Sequence, residues 1–327
     1  MPHELKQTLV LGAALILGMS VAGGARAEKI LVSNEKDNTV TVLDAATLQT
    51  IKTVPVGNRP RGIVLSPDGK TLYICASDDD DLNVLDVPSL TVTRTLPSNP
   101  DPELFDISPD GKTLYISNEN DSMVSVLDIA SGQINAEIPV GIEPEGMGVS
   151  PDGKTVVNTS ETTSMAHFID TTQRKVIGNV LVGSRPRFAE WAADGKTVWV
   201  SSEVGGVVTV IDGATRKILK IIHFAVAGIP AEQIQAVGMA LTSDGKYGFV
   251  SLGPANRVAV VDAKTYDVIK YLLVGQRVWH VALNHDQTRL YTANGVSNDI
   301  TVIDVPDLKV LKSVPVGQAP WGVVVAP

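Results

Sequence analysis

One cysteine, Cys75, stands among 327 residues. An intrachain disulfide, a multi-cysteine metal site and a c-type haem attachment are therefore excluded. Basic side chains are in deficit, 27 against 36 acidic ones, for a net charge of −9. That balance argues against a nucleic-acid binder, which needs a basic face to neutralise phosphates. Neither H-E-x-x-H nor G-x-S-x-G occurs, so the two commonest sequence signals for zinc and serine hydrolases are missing. The one long apolar run, 9–21, has 13 residues and falls short of the roughly 20 a membrane helix needs. Aromatic residues are only 5% of the chain, which makes the placement of the four tryptophans informative.

What is there begins with a targeting pattern. Lys6 precedes the apolar run, and Ala25-Arg26-Ala27 follows it as an A-x-A cleavage site. Residues 1–27 read as a secretory signal peptide. The expected mature chain, 28–327, has no membrane span, carries net charge −10 and is expected in the periplasm. Cys75 lies in the apolar stretch LYICA, where burial would keep a lone thiol inert.

A pattern of alternating residues ending in aspartate then recurs at Asp44, Asp86, Asp128, Asp170, Asp212, Asp262 and Asp304. The step is 42 residues, except for one step of 50. The turn S-P-D-G-K keeps the same step. A period of about 40–50 residues marks propeller blades. Seven units and one short insertion fill 28–327, so an all-β, seven-bladed propeller of four-stranded blades is expected as a single domain. In the first full unit the strands read 62–66, 71–76, 81–86 and 91–97. The segment 321–326 matches an innermost strand, and KILVSN near the start matches a second strand. The last blade is therefore expected to be closed by 29–56 and 321–326 together. The seven aspartates close the third strand at one repeat position and read as structural turn residues.

The stretches LYISNENDSMVSVLD and VPVGNRPRGIVLSPDGK resemble the YVTN-type repeat of seven-bladed propellers, and the resemblance spans 28–327. The 50-residue step, with HFAVAGIPAEQIQAVGMALTSDG, is similar to the exported propellers associated with pyrroloquinoline quinone (PQQ)-dependent catabolism. That resemblance implies a non-catalytic accessory or binding protein of quinoprotein alcohol oxidation, without defined catalytic residues. The implied partner is a quinoprotein dehydrogenase or an export system. The alternative is a propeller enzyme, lactonase-like or dehydrogenase-subunit-like, using face carboxylates and a divalent metal; fold alone does not choose.

Variation among blades locates candidate residues. In the loop G-x-x-P-x-G, like charges pair within a blade: Arg59 with Arg61, Asp101 with Glu103, Glu143 with Glu145, Arg185 with Arg187. Glu35, Glu119, Glu161 and Glu203 share another repeat position on the same face. Trp279 and Trp321 occupy a place otherwise charged or small, and Arg277 lies two residues before Trp279. Indoles stack on planar rings and guanidinium groups clamp carboxylates. Arg61, Arg187, Arg277, Trp279 and Trp321 are thus candidates for a small anionic aromatic ligand such as PQQ. Glu103 and Glu145 are candidates for a bridging divalent ion such as calcium. The bland alternative is a rim of internal ion pairs. The match of 148–155 to G-x-x-x-x-G-K-T lies in a hairpin rather than at a helix start, so nucleotide binding is not expected. In the insert, Pro230 followed by Ala231, Glu232 and Gln233 suits a short helical turn over the face bearing Trp279.

Overall fold

Strands such as Thr39–Asp44, Asp81–Asp86 and Met123–Asp128 alternate Val or Leu with small polar residues, yet their four central residues are all buried. A strand is buried on both sides only when its sheet is packed between two others. The fourth strands, such as Thr50–Pro55 and Thr91–Pro97, are mostly exposed because they form the outer rim. The computed structural model, which describes residues 28–327, resolves this pattern as seven four-stranded antiparallel sheets arranged as a propeller. The segment read as a signal peptide, 1–27, lies outside the described residues. Two 3-10 turns, Ser77–Asp79 and Ala231–Gln233, are the only helical elements among the described residues. No helix there is long and apolar enough to cross a membrane.

In chain order, blade 1 spans 60–97, blade 2 102–139, blade 3 144–181, blade 4 186–223, blade 5 239–273 and blade 6 278–315. Blade 7 is composite. Its innermost strand is Pro320–Ala326, and Lys29–Asn34, Thr39–Asp44 and Thr50–Pro55 follow outward. The closure is antiparallel, with Ile30 opposite Val325 and Val32 opposite Val323. The innermost strand of blade 1 starts at Pro60, two residues before the alternation becomes visible. A bulge between Pro60 and Ile63 leaves Arg61 and Gly62 without cross-strand partners, which hides them from a period-two reading.

Neighbouring blades are bonded as well as packed. A hydroxyl on the second strand of one blade donates to a carbonyl on the next blade's innermost strand: Ser33 to Arg61 at 2.7 Å, Thr159 to Pro186 at 3.0 Å, Ser251 to Trp279 at 2.5 Å. Gly62 belongs to this close approach, since a Cβ there would lie 2.5 Å from the carbonyl oxygen of Glu103.

One face, here the lower, carries the hairpin turns. Gly69 takes φ +66°, which the S-P-D-G-K turn requires. The aspartates at the other lower turns accept from the chain three residues on. Asp44 takes the Thr47 amide at 2.7 Å, Asp86 the Ser89 amide at 2.8 Å and Asp212 the Thr215 amide at 2.7 Å. Asp128, Asp170, Asp262 and Asp304 do the same with Ser131, Gln173, Thr265 and Asp307. These bonds hold the Asp44 and Asp86 carboxyls below their ordinary pKa range. Cys75 is fully buried, and burial pushes its thiol pKa up.

Candidate functional site

The upper face is built by the loops that enter each innermost strand and by those joining second to third strands. At the entering loop, Arg59, Asp101, Glu143, Arg185, Arg277 and Ala319 all have φ between +52° and +57°. Side chains of the preceding blade hold this left-handed turn. The amide of Arg59 donates to Asn38 at 3.0 Å, that of Asp101 to Asp80 at 2.9 Å, and that of Arg277 to Asn256 at 2.8 Å. The innermost strand begins at the next residue, and the residue after that stands at the upper mouth of the central channel. There stand Arg61, Glu103, Glu145, Arg187, Val237, Trp279 and Trp321, one from each unit in ring order.

The geometry joins these residues to one another. Arg61 Nη1 lies 2.6 Å from Glu103 Oε2, and its Nε donates to Glu35 at 2.9 Å. Arg59 bonds Asp101 at 2.8 Å and Glu103 at 3.0 Å. Across the ring, Arg187 pairs with Glu145 at 3.0 Å and with Glu161. Arg185 reaches Glu161 at 2.7 Å, and Arg277 reaches Glu203 at 2.7 Å. Most of these pairs cross a blade boundary. Glu103 is 0% exposed, Glu145 1% and Arg187 5%, so the pairs sit in a low-dielectric interior.

The charges set one another's pKa. Burial alone would lower Arg61 and Arg187, but the attraction of Glu103 and of Glu145 holds both above the ordinary arginine range. Burial first, then Glu103 and Glu161 nearby, pushes Glu145 well up. Burial raises Glu119 to about 7, helped by Glu103 and Asp101. Glu203 goes down, because Arg187 and Arg277 outweigh its burial.

The tryptophans complete the ring. Their centroids are 6.3 Å apart with planes 30° from parallel. Arg277 stacks 4.0 Å from the Trp279 centroid, Arg187 lies at 5.8 Å on the same ring, and Arg61 lies 5.9 Å from that of Trp321. Trp321 is 1% exposed, leaving no free ring face for stacking. The seven candidate residues therefore meet at one place, but each arginine is engaged by a carboxylate of the chain. A planar polycarboxylate such as PQQ would have to displace those carboxylates, so the residues as arranged do not fit it.

Three carboxylates do converge. Ligand oxygens of Asp101, Glu103 and Glu119 lie within 4.8 Å of one another. Glu145 is not part of this group and turns to Arg187 instead. The acidic run 78–81 is engaged locally: Asp79 accepts from the Asn58 amide at 2.6 Å, and Asp81 from Asn83 at 3.0 Å.

The insert forms its short turn at Ala231–Gln233, with Pro230 one residue ahead at the cap. It lies on the upper face, where Gln235 accepts from Arg277 at 2.5 Å. It is pinned rather than free, because Phe224 and Ile234 pack into the core with Trp199 and Val250.

Sequence reasoning missed the channel wall below the ring. Two residues past the glycine position of G-x-x-P-x-G, the units read Val64, Asp106, Gly148, Glu190, Ala240, Ala282 and Val324. Two acids among small and aliphatic residues at one repeat position were a visible signal. His280 and Phe188, one layer higher, have ring centroids 5.2 Å apart, and His280 lies 4.2 Å from Trp321. Burial lowers the His280 pKa to about 3, aided by Arg187.

Residues 7–120 match the family model described as YNCE-like beta-propeller. No curated protein matches the chain. Among solved structures, a chain of Kuenenia stuttgartiensis hydrazine synthase is 24% identical with TM-score 0.78, over 85% of this chain and 92% of that one. A functionally unknown protein from Desulfotomaculum acetoxidans DSM 771 is 15% identical with TM-score 0.78, over 91% and 98%. Dihydro-heme d1 dehydrogenase NirN in complex with DHE is 18% identical with TM-score 0.68, over 90% and 74%. At these identities the likeness is one of fold. The chain is a seven-bladed β-propeller whose residues 7–120 are similar to the YNCE-like propellers.

Proposed function

We propose that the chain is an exported, non-catalytic binding propeller that serves PQQ-dependent alcohol oxidation in the periplasm as an accessory protein. The observation that carries the binding role is the self-neutralised upper ring. Arg61, Arg187 and Arg277 are held by Glu103, Glu145 and Glu203, so the face is a rigid platform and not an open anion clamp. Around it the loops expose Ile142, Val204 and Val296. Exposed aliphatics on a preorganised loop face suit a protein partner. The link to quinoprotein chemistry rests on the sequence resemblance, as does export on the pattern in 1–27. A second reading, a metal-using propeller enzyme, is favoured by the convergence of Asp101, Glu103 and Glu119.

The test is capture of a quinoprotein alcohol dehydrogenase from periplasmic extract by the tagged protein. The expected result is capture by wild type and loss with Ile142→Asp, Val204→Asp and Val296→Asp combined, at unchanged melting temperature. Titration with PQQ, with and without calcium, is expected to give no heat. Absence of capture, together with normal growth on alcohols of a strain lacking the gene, would overturn the reading. Tight PQQ binding lost on Trp279→Ala would move the function to a small ligand.

A further inference from the structure

Below the upper ring the channel opens into a cavity of about 590 Å³, within the range of small-molecule sites. Its wall is formed by innermost strands of all seven blades and reaches the exposed residues Pro151 and His285 at the lower face. Among the described residues lining it there is no lysine or arginine, yet Asp106 and Glu190 both face it. Asp106 accepts the Val149 amide at 2.7 Å and the Ile107 amide at 2.8 Å. Glu190 accepts no hydrogen bond and makes no ion pair with any described residue. On the upper face every buried carboxylate of the ring has an arginine; here an acid points into a cavity without one.

A second observation is independent of the acids. His280 is 7% exposed, lines the same cavity, and its Nε2 has no partner. Its Nδ1 edge faces Gly238, where a Cβ would lie 2.7 Å away. Nε2 itself is shut off from the channel, so it is the imidazole ring, not that nitrogen, that borders the cavity. Phe188, which His280 approaches, lies two residues before Glu190 on the same strand, so both side chains share the channel face. The site has an aromatic layer above, formed by Phe188 and His280, and two carboxylates beneath.

We propose that this cavity binds a small organic ammonium ion, with the cationic head on Glu190 and Asp106 and the apolar body against Phe188 and His280. An ammonium donates to both carboxylates, and aromatic faces attract its charge. A bare divalent ion fits less well, because hard cations seek six or more oxygens and the layer above offers rings. Burial, with Asp106 nearby, raises Glu190 to about 8, and burial raises Asp106 to about 6. At neutral pH an arriving cation thus ionises Glu190 and displaces its proton to solvent. The other titratable groups lining the cavity are His280 and His285, with Glu28 accepting the His285 amide.

The experiment is calorimetric titration of the full protein with butylammonium, butyrate and calcium chloride, each in two buffers of different ionisation enthalpy. The expected result is saturable one-to-one binding of butylammonium, no binding of butyrate, and net proton release near pH 7. Glu190→Gln should weaken binding about tenfold to a hundredfold, as for loss of a charged hydrogen bond, and abolish the proton release. Should that variant fail to fold, Ala240→Met narrows the same layer without touching an acid and should block binding. No binding of butylammonium to wild type would overturn the proposal, as would equal binding of butyrate or undiminished binding to both variants. Glu190-dependent binding of calcium alone would replace the amine with a metal.

Discussion

The two ends of the central channel handle buried carboxylates in opposite ways. At the upper ring Glu103, Glu145, Glu161 and Glu203 are buried among Arg59, Arg61, Arg185, Arg187 and Arg277. At the lower layer Asp106 and Glu190 face a cavity with no arginine or lysine on its lining. The two layers lie only three residues apart on the same innermost strands, as Glu103 and Asp106 or Arg187 and Glu190 show, so the difference lies in which side chains surround each. A ring whose charges cancel holds blades in place; a layer whose charges do not cancel awaits a cation or a proton. Buried charge by itself therefore does not mark a binding site. What marks one is a charge left without a partner beside usable space.

The largest effect is expected from removing a wall common to both ends. Deleting 320–327 takes away Trp321, Val323 and Ala326, all buried, and bares the inner edge of Lys29–Asn34. Each fully buried large side chain contributes about 1.5–3 kcal/mol. The truncated protein should lose its sharp thermal unfolding transition in calorimetry. An unchanged transition would mean that the closure carries no stability, and the channel ends could not be compared as parts of one ring.

Next comes the upper ring alone. Arg187→Ala leaves Glu145, Glu161 and Glu203 facing one another without their shared cation. Breaking a buried pair from one side costs about 3–5 kcal/mol. The urea midpoint should fall accordingly. The double change Arg187→Met with Glu145→Leu removes both partners of one pair and should recover part of that loss. A single variant as stable as wild type would show that the ring is wet and its charges screened, which would erase the contrast with the lower layer.

Much of this was legible before the structure. The aspartate step of 42 residues and the S-P-D-G-K turns report the fold because each blade must repeat the same turn chemistry. The like-charge pairs Arg59 with Arg61 and Asp101 with Glu103 located the upper ring, since only the residue after the loop proline can face the channel mouth. Which arginine meets which carboxylate was not legible. Arg61 finds Glu103 on the next blade and Glu35 on the previous one, at sequence separations of 42 and 26. Such pairs depend on blade spacing and side-chain reach, and no local pattern encodes them. Glu190 escaped notice for a different reason. It sits in PRFAEW among apolar neighbours, where a period-two reading assigns it to a solvated side. Only the closing of seven strands around an axis makes that side a cavity.

The smallest expected effect bears most directly on the contrast. A carboxyl raised from its ordinary 4.5 to about 8 in the fold binds its proton more tightly there than in the unfolded chain. Its contribution is fully present below pH 4.5 and is lost as pH rises through about 8. Glutamine mimics the protonated acid and does not titrate. Glu190→Gln should therefore match wild type near pH 5 and exceed it in stability near pH 9. At about 1.36 kcal/mol per tenfold in proton affinity, and allowing for contact with water in the channel, the gap should be about 2–4 kcal/mol. Urea unfolding of both proteins across this range measures it. His280, lowered to about 3, acts only below its ordinary 6.5 and with the opposite slope, so it drops out of the difference. A flat difference between the two proteins would mean that Glu190 keeps an ordinary proton affinity. The lower layer would then be as well compensated as the upper ring, by water instead of arginine.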